Sequence, residues 1–391
     1  MQFIDLATQQ KRIREKIESN IQTVLSHGQY ILGSEIKQLE ERLAEYVGIE
    51  HAVACSSGTD ALLLALMAYD VGPGDAVLTS PFTFIATAEV ISLLGATPVF
   101  ADIDPETFNI DPEHLERALV ALRDGLGDYP VPIGCTESSL VTKGIIAVDL
   151  FGLPVDYDAI NAIAKKNGLF VIEDAAQSFG SQYKGKRACS LADIACTSFF
   201  PAKPLGGYGD GGMCFVDDEA LAQAMRSFSL HGQGTHRYDN VRIGINGRMD
   251  TLQAAILHAK FDIFPDEVEK RQRVAEKYTE LLSALDIDLV TPVVPPEYQS
   301  VWAQYSILSR DETQRSELQS RLKEAGIPTA VYYPKPLHLQ PAFQGLGYRE
   351  GDFPVSEDYS RRVFSLPMHP YLKPEEQEWI STIIGEEKGY S

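Results

Sequence analysis

Lys203 stands in an apolar stretch and is the residue of this chain best suited to covalent chemistry. The stretch reads Thr-Ser-Phe-Phe-Pro-Ala-Lys-Pro-Leu-Gly over residues 197–206. Apolar surroundings strip water from an ammonium group, lower its pKa and free the amine as a nucleophile. Such an amine forms Schiff bases with aldehydes, of which pyridoxal 5'-phosphate (PLP) is the common biological example. Taken alone, a lysine of this kind more often belongs to a surface loop before a turn, so other residues have to decide.

Two polar segments, each after a predicted strand, could bind the rest of such a cofactor. Ser56, Ser57, Gly58 and Thr59 directly precede a helical run, and Gly58 would let an anion approach free backbone N–H groups. The same residue types also cap ordinary helices. Asp174 could pair with a protonated pyridine nitrogen, or it could be a solvated acid at the end of its strand.

Four further residues complete the candidate cofactor site. Ala176 is small enough to lie against a flat ring, and Gln177 could donate a hydrogen bond to the phenolic oxygen of that ring. Ser198, five residues before the lysine, could add its hydroxyl to the phosphate site. Phe84 follows another predicted strand and could stack on the cofactor, although packing in the core explains this residue equally well.

A loop with two glycines, Gly-Ile-Asn-Gly-Arg over residues 244–248, precedes a long helical pattern. Its polar residues Asn246 and Arg248 indicate contact with a ligand. The alternative is a helix cap followed by a solvated arginine.

Short β-branched runs alternate with helical patterns from residue 51 to about residue 230. The strand candidates are residues 51–56, 76–80, 97–102, 144–150, 169–173, 194–199 and 211–216. The helix candidates between them include residues 60–68, 85–94, 158–166 and 219–227. This alternation predicts a mostly parallel sheet with helices on both faces. Ligands bind at the carboxyl ends of the strands in such sheets, and the polar residues described above follow those ends.

The length and the helical patterns predict two domains. Amphipathic helices are expected at residues 9–26 and 34–47, and a long helix at 250–277. We expect a large domain over residues 1–248, which includes the N-terminal helices, and a small C-terminal α/β domain over residues 249–391. The small domain has strand candidates at 289–294, 301–309 and 328–333 and helix candidates at 312–325 and 375–386. The segment 123–136 contains glycine and proline and is expected to be a surface insertion.

Composition excludes several classes of protein. The chain has 391 residues, of which 44% are hydrophobic, and a formal net charge of −21, which argues against a nucleic-acid partner. No apolar run is long enough to span a membrane, and the first residues do not form a secretory signal. The five cysteines contain no C-x-x-C pair, so we expect reduced thiols, a cytoplasmic location and no structural metal.

The ordered motifs together resemble the DegT family of PLP-dependent sugar aminotransferases. The resemblance runs from residue 3 to about residue 372. The motifs are Ser-Gly-Thr-Asp-Ala-Leu (57–62), Pro-Phe-Thr-Phe-Ile-Ala-Thr-Ala-Glu (81–89), Glu-Asp-Ala-Ala-Gln-Ser-Phe-Gly (173–180), the lysine stretch (197–206), Gly-Ile-Asn-Gly-Arg-Met-Asp (244–250), Tyr-Pro-Lys-Pro-Leu-His (333–338) and Ser-Leu-Pro-Met-His-Pro (365–370). The resemblance implies the α/β fold of the fold-type I PLP-dependent aminotransferases, with a large sheet domain and a smaller C-terminal domain.

The resemblance also implies a role for each candidate residue. Lys203 would form the covalent bond to PLP, Asp174 would pair with the pyridine nitrogen, and Gln177 would contact the phenolic oxygen. The other implied cofactor contacts are Gly58, Thr59, Phe84, Ala176 and Ser198, with Asn246 supplied by the second subunit of a homodimer. The implied contacts to the sugar nucleotide are Gly28, Tyr30, Arg248, Tyr332, Tyr333 and His338.

Within the family, the resemblance implies transfer of an amino group from L-glutamate, with release of 2-oxoglutarate. The implied acceptor is C3 of UDP-2-acetamido-2-deoxy-3-keto-glucuronic acid, in the synthesis of a bacterial surface polysaccharide such as O-antigen. Ala202 and Tyr332 stand where a family member has Ser and His, which leaves the exact sugar open. Alternatives are a 3- or 4-keto-6-deoxy sugar, carried by UDP or dTDP, and a non-catalytic PLP-binding regulator. Lys203 argues against the family branch that carries histidine there and dehydrates its substrate.

Overall fold

The computed structural model describes residues 1–125, 129–133, 140–236 and 238–386. The helices are α1 (Leu6–His27), α2 (Ser34–Val47), α3 (Gly58–Ala68), α4 (Ala86–Leu93), α5 (Pro112–Asp124), α6 (Tyr157–Asn167), α7 (Glu219–Ser229), α8 (Thr251–Phe261), α9 (Phe264–Ser283), α10 (Glu312–Glu324), α11 (Pro354–Arg362) and α12 (Pro374–Gly385). The strands are β1 (His51–Cys55), β2 (Asp75–Thr79), β3 (Thr97–Phe100), β4 (Val141–Val148), β5 (Phe170–Asp174), β6 (Gln182–Tyr183), β7 (Lys186–Arg187), β8 (Ile194–Ser198), β9 (Gly212–Val216), β10 (Leu289–Val290), β11 (Tyr298–Gln299), β12 (Tyr305–Ser309) and β13 (Val363–Leu366). Short 3-10 helices cover Leu150–Gly152, Leu337–Leu339 and Pro341–Leu346.

A seven-stranded sheet in the order β1-β9-β8-β5-β4-β2-β3 forms the centre of the molecule. Strands β8, β5, β4, β2 and β3 pair in parallel, whereas β9 runs antiparallel to both of its neighbours. The carboxyl ends of β1 and β8 therefore lie at the same edge as those of the other parallel strands. The predicted fold class, a mostly parallel sheet in an α/β protein, is confirmed.

The strands of this sheet are buried on both faces, which explains why they appear in the sequence as continuous apolar runs. One hydrophobic cluster contains Val99, Ile145 and Ile160 from β3, β4 and α6. A second contains Leu64 from α3 and Ile172 from β5, on the other side of the sheet. Capping residues fix where the covering helices begin; Asp156, for example, accepts a hydrogen bond from a backbone N–H in the first turn of α6.

The predicted single helix over residues 250–277 is wrong, because the chain forms two helices, α8 and α9, in that region. The break lies at Asp262 and Ile263, and Pro265 occupies the first turn of α9. Proline lacks a backbone N–H and is tolerated in the first turn of a helix, whereas it interrupts a helix in progress. Helix α8 packs against α1 through a cluster of apolar residues that includes Ile17 and Ile256.

A three-stranded antiparallel sheet in the order β10-β12-β13 organises the C-terminal part. Helices α9, α10 and α12 cover it through a cluster that includes Tyr278, Tyr305, Leu322 and Ile380. The predicted strand at 328–333 is wrong, since that segment forms only one bridge, between Ala330 and Ser365 of β13. The division of the chain into domains at residue 248 stays a prediction.

The predicted insertion at 123–136 falls partly outside the described residues, which omit 126–128 and 134–136. Within the described part, α5 continues to Asp124, and Tyr129 is buried. The Tyr129 hydroxyl accepts a hydrogen bond from the Asp102 backbone N–H at 3.0 Å. The described cysteines, Cys55, Cys189, Cys196 and Cys214, are all free and buried. Among the described helices, none combines the length and the apolar character that a membrane span requires.

We predict that Gly144→Ala destabilises the central sheet by about 1–3 kcal/mol through overpacking. A Cβ atom on Gly144 would lie 2.2 Å from the ring of Phe170, its partner on the neighbouring strand. That ring cannot withdraw freely, because it stacks on Tyr69 at a centroid distance of 4.1 Å. The measurement is the free energy of unfolding in urea. Gly72→Ala is the control, since a Cβ there meets nothing within 4 Å, and equal losses in both variants would contradict the prediction.

Candidate active site

The loops that follow β1 and β8 meet in close contact at the carboxyl edge of the central sheet. A Cβ atom on Gly58 would lie 2.6 Å from the Cβ of Ser198, and one on Gly212 would lie 2.3 Å from the carbonyl oxygen of Ser57. Such distances exclude any side chain at these two glycines. The contact leaves backbone, rather than side chain, facing the space above the sheet edge.

The first turn of α3 supplies backbone N–H groups at this edge. Ser57 caps the helix, because its Oγ accepts a hydrogen bond from the Asp60 backbone N–H at 3.0 Å. The first amides of a helix have no partner within the helix, and the helix dipole adds positive potential at that end. Together with the hydroxyl of Ser198, these amides form a cradle suited to a phosphate group.

Asp174, the last residue of β5, presents a buried carboxylate beside this cradle. Its Oδ2 accepts a hydrogen bond from Thr87 Oγ1 at 2.8 Å, and its Oδ1 accepts one from the Ala176 backbone N–H at 3.2 Å. Burial raises the pKa of Asp174, whereas both hydrogen bonds and the charge of Lys203 oppose that rise. The two donors fix the orientation of the carboxyl group and favour its ionised form.

Thr87 is the residue of this site that sequence reasoning missed. It lies in the first turn of α4, 87 residues before Asp174, and is almost fully buried. Its hydroxyl also lies 3.3 Å from that of Thr83. Two threonines four residues apart, in and just before the first turn of a mostly apolar helix, were the sequence signal that could have revealed it. Hydroxyl groups at such buried positions need hydrogen-bond partners.

Gln177 is held by the backbone of the neighbouring loop. Its Oε1 accepts a hydrogen bond from the Phe151 backbone N–H at 2.7 Å, and its Nε2 donates to the hydroxyl of Tyr333 at 3.2 Å. Since Phe151 can only donate, this contact determines which end of the amide is the oxygen. The side-chain N–H groups of Gln177 therefore face Tyr333, whose ring lies 6.3 Å from that of Phe84.

Lys203 follows β8 in a turn in which its backbone N–H donates to the carbonyl of Phe200 at 2.8 Å. Its side chain is half-buried. Burial lowers the pKa of the Lys203 ammonium group, and the charge of Asp174 opposes this shift. Within the described residues, the amine has no hydrogen-bond donor or acceptor to hold it. A lowered pKa without a fixed partner leaves a larger fraction of this amine neutral and free to react at a given pH.

A second group of predicted residues lies on the segment with Gly28 and Tyr30 and on the loop 244–248, whose Gly247 carbonyl accepts a hydrogen bond from the Ser56 backbone N–H at 3.1 Å. The Tyr30 carbonyl accepts a hydrogen bond from the Thr251 backbone N–H at 2.9 Å, so the segment that contains Gly28 and Tyr30 is tied to the start of α8. Arg248 lines a cavity of about 300 Å³ with Leu32, Arg226 and other residues. Gly28, Tyr30 and Asn246 are exposed.

His338 is not brought to the sheet edge. It is buried, its Nε2 lies 3.0 Å from Glu357 Oε1, and its ring lies 4.7 Å from that of Phe353. The neighbouring Leu337 backbone N–H donates to the carbonyl of Pro81 at 2.7 Å. His338 thus contacts the interior side chains Glu357 and Phe353, although it follows Tyr332 and Tyr333 closely in the sequence.

The family model of the DegT/DnrJ/EryC1/StrS aminotransferases matches residues 11–384 of the chain. The chain belongs to this family. A Pseudomonas aeruginosa relative named UDP-2-acetamido-2-deoxy-3-oxo-D-glucuronate aminotransferase is 50% identical over 372 residues, which cover 95% of this chain and 96% of the relative. A Geobacillus stearothermophilus relative named pleiotropic regulatory protein is 44% identical and covers 98% of this chain and 97% of its own length.

Solved structures of family members have the same fold. An aminotransferase from Brucella abortus superposes with a TM-score of 0.91 at 47% identity and covers 98% of both chains. The Bacillus subtilis protein NtdA, solved with the bound cofactor PMP, superposes with a TM-score of 0.84 at 30% identity, over 98% of this chain and 82% of NtdA. The chain, as a member of this family, is therefore a PLP-dependent aminotransferase.

The residues at the sheet edge fit the chemistry of PLP. Gly58 packs directly against Ser198, where a Cβ would collide with the serine, and the free amides in the first turn of α3 beside this contact suit a phosphate. The buried carboxylate of Asp174 suits a pyridinium nitrogen, and the amine of Lys203 suits an aldehyde carbon. An anion cradle, a buried acid and a desolvated amine at one edge therefore match the three functional parts of this cofactor.

We predict that Thr87→Val lowers the free energy of unfolding of the cofactor-free protein by about 1.5–3 kcal/mol, the value of a hydrogen bond to a charged group. The loss is largest above the pKa of Asp174, where the carboxylate is ionised, and shrinks as the pH falls through that pKa. Urea unfolding over a series of pH values measures it. Thr83→Val is the control because Thr83 contacts Thr87 but not Asp174. A loss that does not depend on pH would refute this account of Thr87.

Proposed function

We propose that the chain transfers an amino group from L-glutamate to a UDP-linked keto sugar. The acceptor we infer is C3 of UDP-2-acetamido-2-deoxy-3-keto-glucuronic acid, in cytoplasmic synthesis of a bacterial surface polysaccharide such as O-antigen. The observation that carries this proposal is that a desolvated Lys203 amine and a buried Asp174 carboxylate lie at one sheet edge, close enough for each charge to affect the pKa of the other. The Pseudomonas relative, at 50% identity, supports the choice of sugar.

The geometry of the sheet-edge residues supports a role for each of them in holding the cofactor. The amides of Gly58 and Thr59 and the hydroxyl of Ser198 would hold the phosphate. Asp174 would hold a proton on the pyridine nitrogen, and Gln177 would donate to the phenolic oxygen. When bound, PLP supplies an aldehyde that accepts the amino group and a ring that accepts electron density from the substrate carbon. Ala176 and Phe84 would lie on either side of that ring.

Lys203 would hold the cofactor through its amine and, when that amine is free, would act as general acid and base. In its neutral form the amine would take the proton from Cα of the donor, and in its protonated form it would supply a proton when the keto sugar is aminated. An amine with a lowered pKa is neutral at lower pH than a solvated lysine, which suits the first of these transfers. The half-buried position limits competition from water.

The sugar nucleotide would bind beside Tyr332 and Tyr333, opposite the cofactor. The hydroxyl of Tyr333 accepts a hydrogen bond from Gln177, which supports a place for Tyr333 near the cofactor rather than near the nucleotide. Tyr332 is half-buried, and its ring lies 6.4 Å from that of Phe3. The guanidinium of Arg248 would recognise a uronate carboxylate, because a planar fork matches the two oxygens.

A homodimer with shared active sites would bring the second group of residues to the cofactor. Gly28, Tyr30, Asn246 and Arg248 lie on segments next to exposed apolar side chains, among which Ile243 is 91% exposed. Contiguous apolar residues on a protein surface mark interaction sites. The partner would cover this surface and would place its own Asn246 against the phosphate.

The first test is the absorbance spectrum of the protein with PLP, before and after addition of L-glutamate. We expect a visible band that glutamate converts to the shorter-wavelength pyridoxamine form, and that a matching UDP-keto sugar restores. Lys203→Ala should lose the band and lower turnover by at least about 10³-fold, as expected for removal of a covalent catalyst and proton carrier. Lys186→Ala, which changes an exposed lysine, is the control.

The same experiment separates the second candidate function, a PLP-binding regulator. The name of the Geobacillus relative supports that candidate. A band that forms with Lys203 but does not respond to glutamate, other amino donors or any keto sugar would favour the regulator. Turnover by Lys203→Ala at the wild-type rate would contradict both the assigned lysine and the proposed mechanism.

We predict that mixing two inactive variants restores activity if the sites are shared. Lys203→Ala and Asn246→Ala each disable every site in their own homodimers. After subunit exchange, each mixed dimer contains one site with both residues intact, so activity should recover to about a quarter of the wild-type value. Recovery is measured after mild denaturation and refolding of the mixture. Mixing Lys203→Ala with Ser198→Ala tests a pair from one subunit, and it should recover nothing.

A further inference from the structure

Two acidic side chains from neighbouring strands are buried directly behind the candidate site. Asp149 follows β4, and Glu173 is the residue before Asp174 on β5; both are 0% exposed. Their carboxyl groups are in hydrogen-bonding contact with each other. Within the described residues, neither carboxyl group forms an ion pair, and the hydrogen-bond donors to both are neutral.

The two carboxyl groups differ in how they are satisfied. Asp149 accepts hydrogen bonds from the Val155 backbone N–H at 3.0 Å, the Tyr157 hydroxyl at 2.9 Å and Ser178 Oγ at 2.7 Å. Glu173 accepts only from two backbone N–H groups, those of Cys189 at 2.6 Å and Leu191 at 3.0 Å. Three donors, two of them hydroxyls, favour the anion on Asp149.

Two adjacent buried acids without a cation cannot both ionise at neutral pH, so the pair retains one proton. Burial raises the pKa of Glu173 well above its usual value, and the charge of Asp149 raises it further. Tyr157 and Cys189 are titratable groups near both acids, and neither of them supplies positive charge. The proton therefore belongs on Glu173.

Asp149 also joins the loop after β4 to the segment that carries the predicted cofactor contacts. Ser178 Oγ donates to the Asp149 carboxylate, and the Asp149 backbone N–H donates to the carbonyl of Asp174 at 3.2 Å. Two residues further on, the Phe151 backbone N–H fixes the amide of Gln177. Asp174 and Gln177 thus lie on a segment that is tied to the loop after β4 at three points.

We propose that Glu173 stays protonated and donates a hydrogen bond to the Asp149 carboxylate. The Asp149 anion then acts as a positioning residue for the segment from Asp174 to Ser178. Asp174 then remains the acid of this group that faces the cofactor. Ionised Glu173 would add a second charge behind Asp174 and repel the segment. Where the proton lies does not depend on the proposed function, whereas the expected effect on turnover rests on it.

Infrared spectroscopy tests where the proton lies, in the cofactor-free protein and in the holoenzyme. We expect the carbonyl band of a buried, protonated carboxylic acid at neutral pH, sensitive to D₂O and absent from Glu173→Gln. Glu40→Gln is the control, since Glu40 is a buried acid that is paired with Arg226, and it should retain the band. A band that survives in Glu173→Gln and disappears in Asp174→Asn overturns the proposal, as does the absence of a band. If Glu173→Gln fails to fold, the carboxyl ¹³C shift of glutamate-labelled wild-type protein gives the same answer.

Two matched variants test the positioning role. Ser178→Ala and Tyr157→Phe each remove one hydroxyl donor to Asp149, but only Ser178 belongs to the segment with Asp174 and Gln177. Ser178→Ala should lower kcat about 10-fold or more with KM for glutamate changed less than about 2-fold, because a small displacement of catalytic groups is costly. It should also shift the pH at which the absorbance of Lys203-bound cofactor titrates, while Tyr157→Phe leaves that pH unchanged. Equal effects in both variants, or none in Ser178→Ala, would contradict the role of Asp149.

Discussion

The site depends on keeping one buried carboxylate ionised at the end of a central strand. An anion loses its hydration inside a protein, so it is stable there only when donors or positive charge replace the lost water. Asp174 receives those donors from α4, through Thr87, and from its own loop, through Ala176. Lys203 supplies positive charge when it is protonated. The order of the strands matters because it brings these elements, distant in sequence, to the same edge.

Much of the fold could be predicted because its central strands are buried on both faces. Such strands appear as short apolar runs between helical patterns, and all seven candidates of the central sheet correspond to observed strands. The C-terminal sheet is harder to predict, because β13 has four residues and its pairing with β12 crosses more than 50 residues of sequence. The break between α8 and α9 was missed although Pro265 marks it, since the apolar period continues on both sides.

Candidate site residues could be recognised in the sequence only at the end of a strand or a few residues after it. Gly58, Asp174, Gln177, Ser198 and Lys203 meet that condition, and their segments lie at one edge of the sheet, while their roles stay predictions. Residues that act through a partner far along the chain carry no local signal, as Thr87 and Asp149 illustrate. His338 illustrates the opposite case: its motif indicated a ligand contact, whereas its ring lies among interior side chains. Burial of one side chain is a property of the whole fold, which a short motif does not contain.

The contact between Gly58 and Ser198 has a consequence for how such a protein can diversify. A single methyl group at Gly58 or Gly212 would overlap neighbouring atoms, so point mutations cannot reshape the floor of the site without disrupting it. Ala202, Tyr332 and Arg248, in contrast, lie at half-buried positions. Under the proposed function, the accepted sugar would change through single substitutions at these positions, whereas the close contacts at Gly58 and Gly212 exclude gradual change of the cofactor site.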